Sequence, residues 1–196
     1  MNWRVGLLAL CLAGCASAPP PLLTDGMTVT PDPTALQGWR DWRAVGRLAV
    51  KTATGGFNAH FDWHQDGTVV ELVVEGPFGA GHSRIRATPE RILVESGSVG
   101  AVELTPPFDG LDAVLVERIG FPIPVLSVGF WLRGVPDPSD TVEWRADGFM
   151  QSGWSVQPDG QWTVDGAPGV LPRRLTFTQS ATRIRVAVDQ WVSGAP

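Results

Sequence analysis

Apolar and polar residues alternate along most of this chain. The clearest run is FNAHFDWH: Phe57, Ala59, Phe61 and Trp63 fall on one face, and Asn58, His60, Asp62 and His64 on the other. A period of two marks a strand with one dry and one wet face. The run before it sets Ala44, Leu48 and Val50 against Val45, Arg47 and Lys51. Asp66-Gly67 is a hairpin signal, so a return strand is expected over Thr68–Glu75. Further strands are expected over residues 82–88, 91–95, 99–104, 141–145, 153–157, 161–164, 173–178 and 183–192. The spacing turns helical only where Leu111, Val114, Leu115 and Arg118 follow Asp109, a possible N-cap, and again over Pro124–Leu132. Asp32-Pro33 predicts one more short helix, running to about Trp42 with Gly38 weakening it.

These elements describe an α+β chain that is mainly β, a meander with one helical insertion. A single antiparallel sheet of so many strands curls. With helices across its opening it encloses an apolar interior. Trp191 breaks the pattern, because strict alternation puts it with Arg183, Arg185 and Asp189. Either a bulge intervenes or the ring sits at the rim.

The N-terminal segment changes the setting. Arg4 precedes an apolar run from Val5 to Ala13, the mark of a secretory signal peptide. That run is too short for a bilayer span of about 20 residues. Cleavage after the A-x-A-like Ala16-Ser17-Ala18 is one reading. The other rests on Leu12-Ala13-Gly14-Cys15, which resembles the bacterial lipobox and implies cleavage before a lipidated Cys15. Of two cysteines, Cys11 then leaves with the signal and no disulfide is possible. By analogy with proteobacterial lipoproteins, Ala16 rather than Asp after the cysteine points to the outer membrane. The expected organisation is a signal at 1–14, a lipidated Pro-rich linker at 15–32 and one domain at 33–196.

Composition excludes more than it assigns. Net charge is −5, with no basic run, so nucleic-acid binding and polybasic membrane attraction are not expected. No P-loop, dinucleotide loop or G-x-S-x-G motif is present. His60, Asp62 and His64, with His82, are the only metal-like constellation; residues two apart on a strand lie ~6.6 Å apart, which strains convergence on one zinc. No metal, cofactor or enzymatic activity is expected. Nine Trp and eight Phe without Tyr fit either a packed core or the lining of an apolar cavity.

One stretch raises a question of its own. In VVEGPFGAGHS, turn-forming Gly76, Pro77, Gly79 and Gly81 surround Phe78. Turn tips lie in water, where a Phe forgoes about 1.5–3 kcal/mol of burial. The ring either folds back under cover or awaits a partner outside the chain.

An ordered series of short motifs resembles the LolB family. After the lipobox come Val45-Gly46-Arg47-Leu48-Ala49, Phe61-Asp62-Trp63 and Gly76-Pro77-Phe78-Gly79. Gly120-Phe121-Pro122-Ile123-Pro124, Trp131-Leu132-Arg133-Gly134, Gly153-Trp154-Ser155-Val156, Leu171-Pro172 and Asp189-Gln190-Trp191 complete it. The resemblance implies an incomplete, open antiparallel β-barrel with short helices as a lid over a hydrophobic cavity. It also implies a monomeric, outer-membrane-anchored receptor that takes lipoproteins from the periplasmic carrier LolA and inserts them into the inner leaflet of the outer membrane. Phe61, Trp63, Leu126, Phe130, Trp131, Trp154 and Trp191 are then expected around the acyl chains, with Ile123 on the lid side. Pro77, Phe78 and Gly79 form the insertion loop, where the family often has Leu at the Phe78 position. The competing reading is another β-rich envelope lipoprotein that binds lipid or assists assembly.

Overall fold

The computed structural model describes residues 33–76, 81–97 and 100–194. Cys15, Pro77, Phe78 and Gly79, with the signal and linker segments, lie outside the described residues. The alternating runs become β1 (Asp41–Lys51), β2 (Gly56–Asp66), β3 (Val69–Glu75), β4 (His82–Ala87), β5 (Ile92–Ser96) and β6 (Gly100–Leu104). After the helical insertion come β7 (Glu143–Arg145), β8 (Gly148–Gln151), β9 (Trp154–Trp162), β10 (Leu171–Gln179) and β11 (Thr182–Ser193). The helices are α1 (Pro33–Gly38), α2 (Leu111–Ile119) and α3 (Val125–Leu132).

All eleven strands form one sheet in the order β6-β5-β4-β3-β2-β1-β11-β10-β9-β8-β7. Every neighbouring pair is antiparallel. Each half is a meander of consecutive hairpins, and the two join where β1 pairs with β11. β6 and β7 remain as free edges, so the sheet is open and not closed into a barrel. The inward face is a single apolar cluster, with Trp42, Ala44, Leu48 and Val50 from β1 and Ala59, Phe61 and Trp63 from β2 among its buried members. α2 lies against β5 and α3 against β3. Among the described residues no helix is long and apolar enough to cross a membrane.

The structure corrects several sequence expectations. α1 ends at Gly38, and Trp42 is already in β1 with its ring buried. α2 is preceded by Gly110 in a left-handed conformation, and Asp109 does not cap it through its side chain. β8 had no counterpart in the expected strands. The two strands expected at 153–157 and 161–164 are one, because β9 runs on through Pro158 and Gly160. Gly160 makes this possible by taking φ 68° inside the strand.

The Trp191 conflict resolves into a bulge. Val45 pairs with Gln190 and Gly46 with Val188, which leaves Asp189 as the extra residue on β11. Asp189 and Gln190 both face outward, and Trp191 returns to the interior. Gly46 is required at this point: a Cβ there would lie 2.2 Å from the Ala187 carbonyl oxygen and 2.8 Å from Phe61 Cε1.

Candidate functional site

The interior is the site the fold builds, and aromatic rings organise it in two groups. At the end of the sheet where β1 begins, Trp42 stacks on Trp63 with centroids 6.2 Å apart and planes within 4°. Trp191 lies 5.3 Å from Trp42, and Trp39 caps both at 5.9 Å and 6.1 Å. In the second group Trp131 of α3 meets Trp154 at 6.3 Å and Phe177 at 5.7 Å. Between the groups lies a small apolar void of about 30 Å³, on the scale of one or two water molecules. Phe61, Trp63 and Leu72 line it from the sheet, Phe121 and Ile123 from the segment before α3, and Val128 and Leu132 from α3 itself.

α3 therefore roofs the interior. Gly129 lets it come close: a Cβ there would meet Gln65 Oε1 at 2.8 Å and Trp63 Cζ2 at 3.2 Å. The roof is held by side chains that hydropathy does not single out. Gln151, buried in β8, accepts hydrogen bonds from Trp131 Nε1 at 2.8 Å and from the Asp137 amide at 2.9 Å. Its own amide donates to the carbonyls of Asp137 and Asp140. Every polar atom of Gln151 is thus used, as burial demands. Gln65 takes the Trp63 indole N–H at 3.3 Å.

Arg133, at the end of α3, is a buried cation. It donates through Nε to the Gly129 carbonyl at 3.0 Å and through Nη1 to the Trp39 carbonyl. Its guanidinium lies 5.4 Å from the Trp42 ring centroid and 4.7 Å from that of Phe130. Burial pulls its pKa down to about 10, and Arg40 pushes the same way against Asp137. The side chain stays charged at neutral pH and ties α1's end to the roof.

The expected cavity residues occupy distinct places. Phe61 and Trp63 border the void. Trp131 and Trp154 are buried one layer away, and Trp191 is buried in the Trp42 group. Leu126 and Phe130 are half-buried on α3, packed against the core but not on the void. Two of the four metal-like residues are committed elsewhere: Asp62 pairs with Arg43 through both oxygens, and His82 Nδ1 lies 3.0 Å from Glu75 Oε1. Among the described residues no group of three potential ligands comes together. Gln151, Gln65 and Arg133 were not legible as site residues: the two glutamines sit in strands without a motif, and Arg133, though inside the Trp131–Gly134 motif, carries no sign there of its buried partners.

The family model described as "Outer membrane lipoprotein LolB" matches residues 40–191. A protein named outer-membrane lipoprotein LolB from Alkalilimnicola ehrlichii is 31% identical over 193 residues, covering 95% of this chain and 94% of that protein. One of the same name from Chromohalobacter salexigens is 29% identical over 197 residues, with 96% and 89% covered. Another from Halorhodospira halophila is 31% identical over 159 residues, with 78% and 75% covered. The match runs from just before β1 to Trp191 in β11, taking in the α3 roof and all of the sheet but the last two residues of β11, and on it the chain belongs to the LolB family of outer membrane lipoproteins.

Proposed function

We propose that the domain receives triacylated lipoproteins from a soluble periplasmic carrier of the LolA type, shelters their acyl chains beneath α3, and delivers them to the inner leaflet of the outer membrane. The observation that carries this is the interior itself: one continuous aromatic and aliphatic cluster under a short helical roof, in a LolB-family chain. Removing one C16 chain from an apolar environment into water costs on the order of 12 kcal/mol at ~0.8 kcal/mol per CH₂. Three chains cannot cross water unshielded. The void of about 30 Å³ holds none of them, so uptake requires α3 to move off the sheet.

In this reading residues 1–14 are removed, Cys15 carries the anchor, residues 15–32 are the tether, and the domain works as a monomer. Phe61, Trp63, Trp131, Trp154, Trp191, Leu126 and Phe130 contact the acyl chains once the roof has opened. Pro77, Phe78 and Gly79 form the loop that dips into the leaflet. The base of that connection is closed by a hydrogen bond from the Gly76 amide to the Gly81 carbonyl at 3.3 Å.

The test supplies a labelled triacylated lipoprotein on the periplasmic carrier to the protein bound to liposomes. Loss from the carrier and arrival in the bilayer are followed separately, for wild type and Phe78→Glu. Uptake without insertion in the variant is the expected result. Normal insertion by Phe78→Glu removes the loop from the mechanism. No uptake by wild type removes the carrier-receptor reading altogether.

A further inference from the structure

The linear sequence holds no basic run, but the sheet assembles a basic face. Lys51 of β1 and Arg183 of β11 are direct cross-strand partners, and Arg185 stands two residues further along β11, opposite Ala49. All three are exposed on the outer face. Apart from exposed Arg40, which precedes the opposite end of β1, the other described cations are engaged. Arg43, Arg47, Arg84, Arg86, Arg91, Arg118, Arg145 and Arg174 sit in ion pairs. Arg133 and Arg173 lie over aromatic rings. Lys51, Arg183 and Arg185 form no ion pair among the described residues. Like charges directly opposite on neighbouring strands repel, and this arrangement keeps such a pair with no acid beside it.

The face is concave. One cleft of about 850 Å³ is lined by Lys51, Arg183, Arg185 and the β1–β2 turn with Thr52 and Thr54. A second, of about 620 Å³, shares Ala49, Asn58 and Arg185 with it and adds His60, Arg47 and Arg174. The two acids nearest the second cleft are neutralised, Asp189 by Arg47 and Asp159 by Arg174. Position matters as much as charge. His60 pairs with both Arg47 and Glu75, so the Lys51 end of β1 and the Glu75 end of β3 are the same end of the sheet. Three strand spacings of ~4.8 Å put β11 about 14 Å from β3.

We propose that this face binds the phosphate headgroups of anionic phospholipids and so orients the domain on the leaflet, with the β3–β4 connection toward it. The proposal rests on the membrane-facing role given above. Each cation near an anionic surface shifts the docked-to-undocked ratio about fivefold, and three together shift it on the order of a hundredfold, weakening as salt rises.

The test uses the full-length lipidated protein in vesicles. A fluorophore is placed at Ala53→Cys in the β1–β2 turn or, at the opposite end of the sheet, at Glu90→Cys. A headgroup-bound quencher reports proximity in zwitterionic vesicles and in vesicles containing phosphatidylglycerol. Phosphatidylglycerol should increase quenching at position 53 and not at position 90. The increase should disappear in Lys51→Gln/Arg183→Gln/Arg185→Gln, chosen over the Glu triple because it adds no new charge, and the fold is checked by its melting curve. Persistence of the increase in that variant, or quenching independent of phosphatidylglycerol in wild type, overturns the proposal. So does a variant that loses only capture from the carrier, which would assign the cations to an acidic protein surface. Docking needs no client lipoprotein, so failed transfer with intact phosphatidylglycerol-dependent docking would count against the trafficking reading and not against this one.

Discussion

Trp131 and Gln151 hold the roof to the sheet through one hydrogen bond, indole Nε1 to amide Oε1 at 2.8 Å, in a place where water does not reach. The same amide serves the Asp137 and Asp140 backbone, so the bond joins α3, the loop after it and β8 into one unit. Gln151→Leu keeps the volume and strands the Trp131 N–H and three backbone groups. Unpaired buried groups cost about 1–3 kcal/mol each, partly relieved by relaxation. A loss of about 3 kcal/mol in urea unfolding is expected, with faster exchange of the α3 amides.

Gly129→Val tests how close the roof must sit. The new side chain would enter the space of Gln65 and Trp63. Overpacking of this kind costs about 1–3 kcal/mol. With α3 lifted, the variant should bind an apolar dye more strongly than wild type. Unchanged dye binding with unchanged stability would mean that α3 tolerates displacement without exposing the interior.

Arg133→Ala removes the donor for the Gly129 and Trp39 carbonyls and the cation over Trp42 and Phe130. The saved desolvation offsets part of this, which leaves a net loss of about 2 kcal/mol. Arg133→Lys should not restore it, because a single ammonium lacks the planar fork that reaches both carbonyls. Thermal melts of the two variants decide the matter.

Asp140 supplies a pH-dependent contribution. Its carboxylate accepts from Ser152 Oγ at 2.6 Å and from the Thr141 amide at 2.7 Å, and these bonds hold its pKa below the ordinary 3.8. A depressed carboxyl pKa stabilises the fold above the unfolded value and loses that effect as pH falls through the folded one. Asp140→Asn should therefore flatten the stability profile below about pH 4. Denaturation midpoints measured down through that range test it.

Much of the sheet was legible because its inward residues alternate: Ala59, Phe61 and Trp63 lie where the pattern of β2 placed them. The helical insertion was legible from the spacing of Leu111, Val114 and Leu115 and from the apolar run of α3. Four things were hidden for physical reasons. The bulge at Asp189 inverts the alternation of β11; Trp191 signalled a bulge or a rim position, and only the partner strand decides between them. Pro158 and Gly160 look like a turn, yet β10 pairs across them. The basic face joins residues from β1 and β11, far apart in sequence, so no local window contains it. Gln151 and Arg133 were illegible because a buried polar residue is defined by its partners, and those lie on other elements.

The placement of β1 beside β11 also governs the order of folding. Within each half, every strand pairs with its sequence neighbour, so the hairpins from β1 to β6 and from β7 to β11 close over short loops. The central seam does not: Lys51 must find Arg183, and Trp42 must find Ser193. Such long-range closure is slow, since loop entropy is lost before the contacts form. As the chain threads into its compartment from the N-terminus, β1 emerges early and waits with one edge bare until β11 arrives. Two half-sheets with raw apolar faces are the species that aggregate. Slowing or deleting β11 should therefore cost soluble yield far more than an equal change at β6 or β7.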